Sequence, residues 1–229
     1  MSAPPAFRGF GPRVSTFFDD LAEHNERDWF LAHKAEFVSD VKEPFEALLD
    51  ALEPTFGPGK LFRINRDIRF SADKSPYKTA QAAIIDQGPR GTLYVQVSAT
   101  GAMIGAGAPH FDPEQLRRYR EAVAGDPGEE LTGIIASLKK GSFIVGTLGD
   151  GEVVDDAGDL KRVPRPYPPD HPRGDLLKLK RLVGARSYDH PAWLQKPTAV
   201  RQITTAWHRL EPIGDWLAAH VGAAAPRRR

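Results

Sequence analysis

The sequence predicts a single-domain α+β protein, in which a mainly antiparallel β-sheet has an N-terminal helical pair and C-terminal helices packed on it. Short segments that alternate apolar and polar residues, separated by glycine turns, fill the middle of the chain, and this pattern is typical of an antiparallel meander. Apolar residues at helical spacing occur on both sides of that region. The 229 residues suffice to bury one substantial core, which we assign to residues 13–222. Residues 1–12 are predicted to be a flexible N-terminus, and residues 223–229 a disordered basic tail.

Two amphipathic helices are predicted at the N-terminal end. The first has four apolar residues on one face, namely Val14, Phe17, Phe18 and Leu21. Asn25 is predicted to cap the second helix. The apolar stripe of that helix consists of Phe30, Phe37, Val41, Phe45, Leu48 and Leu52. Pro44 lies inside the stripe and should kink or split the helix, because proline has no amide hydrogen to donate.

Three antiparallel strands are predicted next, at Gln81 to Asp86, Thr92 to Ser98 and Ala102 to Ala106. The short sequence Ala99-Thr100-Gly101 predicts a tight turn between the last two strands. A further hairpin between Phe143 and Val154 is predicted at the edge of the sheet.

Two helices should follow this meander. Asp112-Pro113 predicts the start of the first, because aspartate caps a helix well and proline suits its first turn, and Gln115 stands at the capping-box position. Asp126-Pro127 predicts the start of the second, which should end just before Gly141.

The stretch from Lys161 to Gly174 contains five prolines and therefore excludes a regular helix or a central strand. It is either a flexible linker or an ordered, extended strap that Val163 and Tyr167 pin over the core, and we favour the strap. Asp175 should then cap a helix that runs through Leu179.

The last helical region, from Trp193 to Leu217, should be broken near Pro212.

The most informative segment runs from Arg63 to Lys78 and reads R-I-N-R-D-I-R-F-S-A-D-K-S-P-Y-K. Its first half alternates like a strand from Phe62 to Phe70, and its second half has turn chemistry. Between Lys60 and Lys78 there are six basic and two acidic residues, a local charge of +4 in a protein whose formal net charge is +1. We call residues 60–78 the basic motif. A concentration of this kind predicts a site for an anion.

The predicted ligand is a phosphorylated or carboxylated small molecule, because arginine forks and lysine ammonium groups bind such oxyanions. The candidate binding residues are Arg63, Arg66, Asp67, Arg69, Ser71, Asp73, Lys74, Tyr77 and Lys78, joined by Arg165 and Lys180 from the strap region. Whether the protein is an enzyme stays open, and no catalytic residue is assigned.

Two other functions remain open for the basic motif. It could form an internal salt-bridge network in a structural or interaction protein, with Asp67 pairing Arg69 or Arg66, Asp73 capping the turn and Tyr77 packing. It could also belong to a nucleic-acid-binding module, although the sequence pI of about 8.0 and the lack of a recognisable motif disfavour this.

Composition excludes several classes of site. The absence of cysteine excludes disulfides, thiol nucleophiles and cysteine-ligated metals. The seven histidines lack metal-ligand spacing, so no metal and no cofactor is expected. We see no membrane-spanning stretch and no signal peptide, and the expected location is the cytoplasm without a membrane partner. The sequence does not determine the oligomeric state.

The segment from Arg66 to Lys78 resembles the signature of a family of uncharacterised bacterial and fungal proteins, catalogued as domain of unknown function 2461. Further similarity lies in four stretches, namely Phe17 to Asn25, Trp29-Phe30, Ile104 to Gly107, and Pro164 to Tyr167 with the residues up to Lys180. The family often has Pro-Arg-Gly-Tyr where this chain has Pro-Arg-Pro-Tyr, which implies a stiffer strap. The resemblance implies a single-domain fold and brings no established activity.

Overall fold

The computed structural model describes residues 6–67, 69, 73–149, 152–154 and 158–224. The helices are α1 (Val14–Glu23), α2 (Arg27–Ala32), α3 (Lys34–Phe37), α4 (Glu43–Phe56), α5 (Pro113–Ala124), α6 (Pro127–Lys140), α7 (Gly174–Leu177) and α8 (Ala199–His220). The strands are β1 (Gly59–Leu61), β2 (Ala80–Asp86), β3 (Thr92–Ser98), β4 (Gly101–Ala108), β5 (Ile144–Gly149), β6 (Glu152–Val154) and β7 (Leu182–Asp189). This combination of a sheet with several helices confirms the predicted α+β class.

The strands follow the order β1-β2-β3-β4-β7-β5-β6. The pairing is antiparallel, with Lys60 opposite Ile84 in the β1–β2 pair and Val145 opposite Gly184 in the β5–β7 pair. The short strand β6 pairs with β5 as the predicted hairpin, and Leu148 faces Val153 across it. The predicted meander strands therefore exist, and each lies within two residues of its expected bounds.

Strand β7 was not predicted, because the helix expected after Asp175 was to run through Leu179 and no element was assigned between it and Trp193. Only α7, four residues long, is helical there. Residues 182–185 are buried, and exposed and half-buried residues alternate after them, which suits a strand that enters the sheet between β4 and β5. Gly107 of β4 permits the close approach to β7: it has a φ of +132°, and a Cβ there would lie 2.3 Å from the carbonyl oxygen of Leu182.

The N-terminal helices form as the apolar spacing predicts. The four predicted residues of α1 are buried, and so is the whole predicted stripe from Phe30 to Leu52. The helix is split where Pro44 predicts it: a π-helical turn, Val38–Lys42, precedes α4, and Pro44 lies in the first turn of α4. The capping box at Asp112 is also present, with Gln115 donating its backbone N–H to the Asp112 side chain.

Two expectations were wrong, one about an interruption of the last helix and one about flexibility at the N-terminus. Pro212 does not interrupt α8, which continues through it because Leu210 and Ile213 on either side are fully buried and hold the helix in the core. The N-terminal segment is not free over residues 6–12: Phe7 and Phe10 are buried, and the Phe10 ring packs edge-on against Phe45 with 4.8 Å between centroids. Residues 225–229 of the predicted tail lie outside the described residues.

The chain divides into two compact units. Unit 1 comprises Met1–Asp86, Tyr94–Ile104 and Ser187–Thr205, and its core is an aromatic cluster around Phe17. Unit 2 comprises Gln87–Leu93, Gly105–Arg186 and Ala206–Arg229, and its core holds Trp207, Trp216 and Tyr119. The assignment of residues 13–222 to a single domain stays a prediction.

Candidate functional site

The basic motif lies in unit 1 and forms a loop that is closed by one β-bridge, between Asn65 and Tyr77. Hydrogen bonds on both sides hold the bridge: Arg66 donates its backbone N–H to the carbonyl oxygen of Pro76 at 2.9 Å, and Lys78 donates to Ile64 at 2.8 Å. The loop is therefore pinned at its base.

The strand predicted from Phe62 to Phe70 is mostly wrong, because the regular strand β1 ends at Leu61 and only the single bridge follows in the described part. Part of the predicted alternation is nevertheless present among the described residues: Ile64 is buried and Phe62 half-buried, whereas the side chains at 63, 65, 67 and 69 are exposed. Local polar contacts compete with strand pairing here, since the Asp67 carboxylate accepts from the backbone N–H of Arg69 at 3.3 Å. Ile68, Phe70, Ser71 and Ala72 lie outside the described residues.

Tyr77 anchors the loop to the helical part of unit 1. Tyr77 is 6% exposed, and its ring stacks on that of Phe30, with centroids 4.1 Å apart. The Asn25 side chain accepts from the backbone N–H of Tyr77 at 3.0 Å and donates to its carbonyl oxygen at 3.0 Å. The prediction that Asn25 caps the second helix was therefore wrong: Glu26 is the N-cap of α2, and no side chain caps that helix end. The amide of Asn25 serves a tertiary contact instead.

The two carboxylates of the motif are each bound by an arginine. Arg66 forms an ion pair with Asp73. Arg69 donates two hydrogen bonds to Asp67, from Nε to Oδ1 at 2.9 Å and from Nη2 to Oδ2 at 2.6 Å. This bidentate hydrogen bonding lowers the pKa of Asp67 and raises that of Arg69. Asp73 also accepts from the backbone N–H of Ser75 at 2.9 Å and so caps the turn. These are the local contacts that an internal network requires.

Other basic side chains of the motif are not paired with these two carboxylates. In the part of the chain that the structure describes, the exposed side chains of Lys60 and Arg63 have no hydrogen-bond or ion-pair partner. The Lys78 ammonium donates to the carbonyl oxygen of Arg63 at 2.8 Å and lies 5.5 Å from the centroid of the Phe62 ring. Partial burial lowers the pKa of Lys78, and the positive charge of Arg66 lowers it further. Lys78 therefore lies in a positive field.

The other predicted site residues are not all brought together. Lys74 belongs to the loop and is exposed. Arg165 and Lys180 belong to unit 2, where both are exposed, and the backbone N–H of Lys180 donates to the Asp159 carboxylate at 2.6 Å. Their role beside the basic motif stays a prediction, as does the contribution of Ser71, which lies outside the described residues.

A second polar centre, in unit 2 around Asp159, was not predicted from the sequence. The carboxylate of Asp159 is 12% exposed, accepts from the Thr147 hydroxyl at 2.9 Å and lies 3.3 Å from Nε of Arg181. Thr147 is one of the few polar residues of the core. No short motif marks this centre, because its members lie on a loop, on β5 and beside β7, up to 34 positions apart (181 minus 147).

The predicted strap, Lys161 to Gly174, is a chain of turns, as its prolines require, with a cis peptide bond between Arg165 and Pro166. Its last arginine binds three backbone carbonyls at the end of α5: Arg173 donates to Val123 at 2.6 Å, Ala124 at 2.9 Å and Gly125 at 3.0 Å. The strap is therefore ordered and fastened to α5, which favours the strap over the linker. His171 precedes Pro172 and accepts a hydrogen bond from the backbone N–H of Arg173 at 3.0 Å. Its side chain therefore stabilises a turn of the strap.

Among the described residues, no group of three or more histidine, aspartate or glutamate side chains could hold a metal ion. Nor is any described helix both long and apolar enough to span a bilayer.

A family model described as a conserved hypothetical protein, domain of unknown function 2461, matches residues 13–216. Neither a search of curated proteins nor a search of solved structures found a match to this chain.

Proposed function

The chain belongs to this family of conserved hypothetical proteins, and because membership brings no established activity, we propose from the site itself that the basic motif binds an anionic small molecule. The ligand group is a phosphate or a carboxylate. The contact residues are Arg63, Lys78 and Lys60, and the paired arginines Arg66 and Arg69 add to the field around them.

The charge balance of the motif is the observation that carries this proposal. Asp67 and Asp73 are the only acids among residues 60–78, and each is already bound by an arginine of the same loop. Arg63 and Lys60 are left without a carboxylate partner in the described part of the chain. An oxyanion that bound them would gain charge-assisted hydrogen bonds, and such bonds are stronger than neutral ones.

Rigidity of the loop base supports the same conclusion. The bridge at Asn65, the clamp from Asn25 and the buried ring of Tyr77 fix the backbone that carries Arg63 and Lys78. The Lys78 ammonium is held in place by the Arg63 carbonyl oxygen. Side chains that are positioned before binding lose less conformational entropy when the ligand arrives.

The internal network is the competing interpretation, and the pairs Arg66–Asp73 and Arg69–Asp67 favour it for those four residues. It gives no role to Arg63 or Lys60. The two interpretations therefore differ most sharply at Arg63, which is exposed and whose side chain makes no hydrogen bond or ion pair with a described residue.

We expect Arg63→Gln to weaken the binding of inorganic phosphate or succinate by about tenfold or more, the loss of one hydrogen-bonded charge contact. Titration calorimetry at low ionic strength, where screening is weakest, measures the dissociation constants. The substitution should leave the free energy of unfolding within about 0.5 kcal/mol of wild type, because the side chain is exposed.

Arg209→Gln is the matched control, since Arg209 is exposed on α8 and its loss changes the net charge equally. Equal affinity in wild type, Arg63→Gln and Arg209→Gln would reject the motif as the binding site. Binding of a short single-stranded oligonucleotide, with steep salt dependence and no response to phosphate or succinate, would instead favour the nucleic-acid-binding module.

A further inference from the structure

The sheet in unit 1 has one face packed on a helix and one face that is half-exposed. Ala83 and Ile85 of β2 are fully buried, whereas Ile84 between them is half-buried. Gly59 of β1 lies opposite Ile85, and a Cβ there would lie 2.4 Å from the Leu49 side chain of α4. Because successive side chains of a strand point to opposite faces, α4 covers the face of Ile85 and Ile84 lies on the other. We call the face of Ile84 the outer face.

Strand β1 and the residue after it add a cation and an aromatic ring to the outer face. Lys60 lies opposite Ile84 and is exposed. Phe62 is half-buried and continues the same register, because its backbone N–H donates to the carbonyl oxygen of Ala82 at 2.9 Å. The ammonium group of Lys78 lies 5.5 Å from the centroid of the Phe62 ring. The ring therefore has one cation beside it and a second two residues away on the same face, about 7 Å along the strand.

Strand β3 adds a polar pair. Residues 93, 95 and 97 are buried whereas Tyr94 and Gln96 are half-buried, so these two share the outer face with Ile84 of the neighbouring strand. The Tyr94 hydroxyl donates to Oε1 of Gln96 at 2.6 Å. Burial raises the pKa of Tyr94 to about 12, so the phenol is a donor at neutral pH. The bond uses the carboxamide oxygen of Gln96, and the carboxamide N–H groups have no partner among the described residues.

The chemistry of the outer face suits a flat organic anion better than an inorganic ion. Phe62 and Ile84 offer half-exposed apolar surface, and a ring that packs on Phe62 gains contact energy beyond the area it buries. Lys60 and Lys78 offer positive charge at the side of that surface, which attracts a carboxylate or phosphate group. An inorganic phosphate ion would use only the two cations and would leave the apolar surface in contact with water.

We propose that the ligand of the basic motif carries an aromatic ring next to its carboxylate or phosphate group, and that this ring packs on Phe62 and Ile84 of the outer face. Lys60 and Lys78 bind the anionic group, and the carboxamide of Gln96 donates to an acceptor on the ring. Strands β1 and β3 lie on either side of β2 and hence about 10 Å apart, a distance that a substituted ring and its hydrogen bonds span. This inference names the class of ligand and rests on the proposed function, because the anionic group binds at the basic motif. All these residues belong to unit 1.

The test compares ligands that share an anionic group and differ in the ring. Titration calorimetry on the full wild-type chain at low ionic strength measures the dissociation constants of phenyl phosphate and methyl phosphate, and of benzoate and acetate. In the pair that binds more tightly, we expect the aromatic member to bind about tenfold or more tightly than its partner, because its ring surface leaves water. That pair also identifies the anionic group as a phosphate or a carboxylate.

Two substitutions locate the ring. Phe62→Leu should reduce the ratio of the two dissociation constants to about threefold or less, because leucine has no ring face to offer. Phe56→Leu is the matched control and should keep the wild-type ratio, since Phe56 is also a half-buried phenylalanine of unit 1 but belongs to α4, on the opposite face. If Phe62→Leu fails to fold, Ile84→Gln takes its place and should reduce the ratio similarly, because a polar side chain replaces part of the apolar surface.

Four results would overturn the inference. Equal affinity within each pair, with binding that Arg63→Gln weakens, would leave the proposed function standing and this inference rejected. If none of the four ligands bound, both would be rejected. An aromatic preference that persisted in Phe62→Leu and in Ile84→Gln would place the ring elsewhere. A wild type that sediments as a dimer, beside a Phe62→Leu variant that sediments as a monomer, would show that a second copy of the chain occupies the outer face.

Discussion

Replacing Asn25 with alanine should lower the free energy of unfolding by about 2–4 kcal/mol, the cost of leaving two part-buried backbone groups without partners. Asn25 serves both the N–H and the carbonyl oxygen of Tyr77, and alanine can serve neither. Urea unfolding measures the change. The same variant should bind phosphate or succinate more weakly than wild type, because Tyr77 fixes the base of the loop that carries Arg63.

Asn65→Ala is the control for this substitution, because Asn65 pairs with the same tyrosine through its backbone alone and its side chain is exposed. Its free energy of unfolding should stay within about 0.5 kcal/mol of wild type. If Asn25→Ala were as stable as Asn65→Ala, the clamp would not hold the loop, and a rigid loop base would no longer support anion binding at Arg63.

Arg173→Met should cost about 2–3 kcal/mol of stability and should release the strap. One guanidinium binds three carbonyl oxygens at the C-terminal end of α5, where the helix leaves its last acceptors unpaired and favours a positive charge. Hydrogen bonds from a charged donor contribute roughly 1.5–3 kcal/mol each. The expected loss is smaller than the sum of three such bonds, because water can partly rehydrate the carbonyl oxygens in the methionine variant. Chemical unfolding measures the loss, and the rate of tryptic cleavage after Lys161 or Arg162 measures the release.

Arg162→Met is the control within the strap, since Arg162 is exposed and makes no hydrogen bond or ion pair with a described residue. Cleavage after Lys161 should be as slow in Arg162→Met as in wild type. A strap that resists trypsin equally in Arg173→Met and in wild type would show that other contacts hold it. Arg173 also packs closely against Gly128 of α6, where a Cβ would lie only 2.6 Å from Nε of the arginine.

Part of the candidate site followed from the sequence. The alternative of an internal network named the pairing of Asp67 with Arg69 or Arg66 and the turn capped by Asp73. The Asp67–Arg69 pair and the Asp73 cap are present, and both are readable from the sequence because each joins residues two positions apart. The contacts of Asn25 with Tyr77 and of Arg173 with α5 were not predicted. They join residues 52 and up to 50 positions apart, and no local pattern encodes which distant backbone group a polar side chain will meet.

The sequence by itself determined the fold class, the buried faces of α1 and of the helix split at Pro44, the meander strands and the charge of the basic motif. These follow from periodicity, capping and composition, which act over a few neighbouring residues. Only the tertiary structure decided that β7 enters the sheet between β4 and β5, that α8 continues through Pro212, and that Arg63 has no carboxylate partner among the described residues. Strand order and charge pairing depend on which distant segments the packed core brings together, and that selection is made by the whole chain.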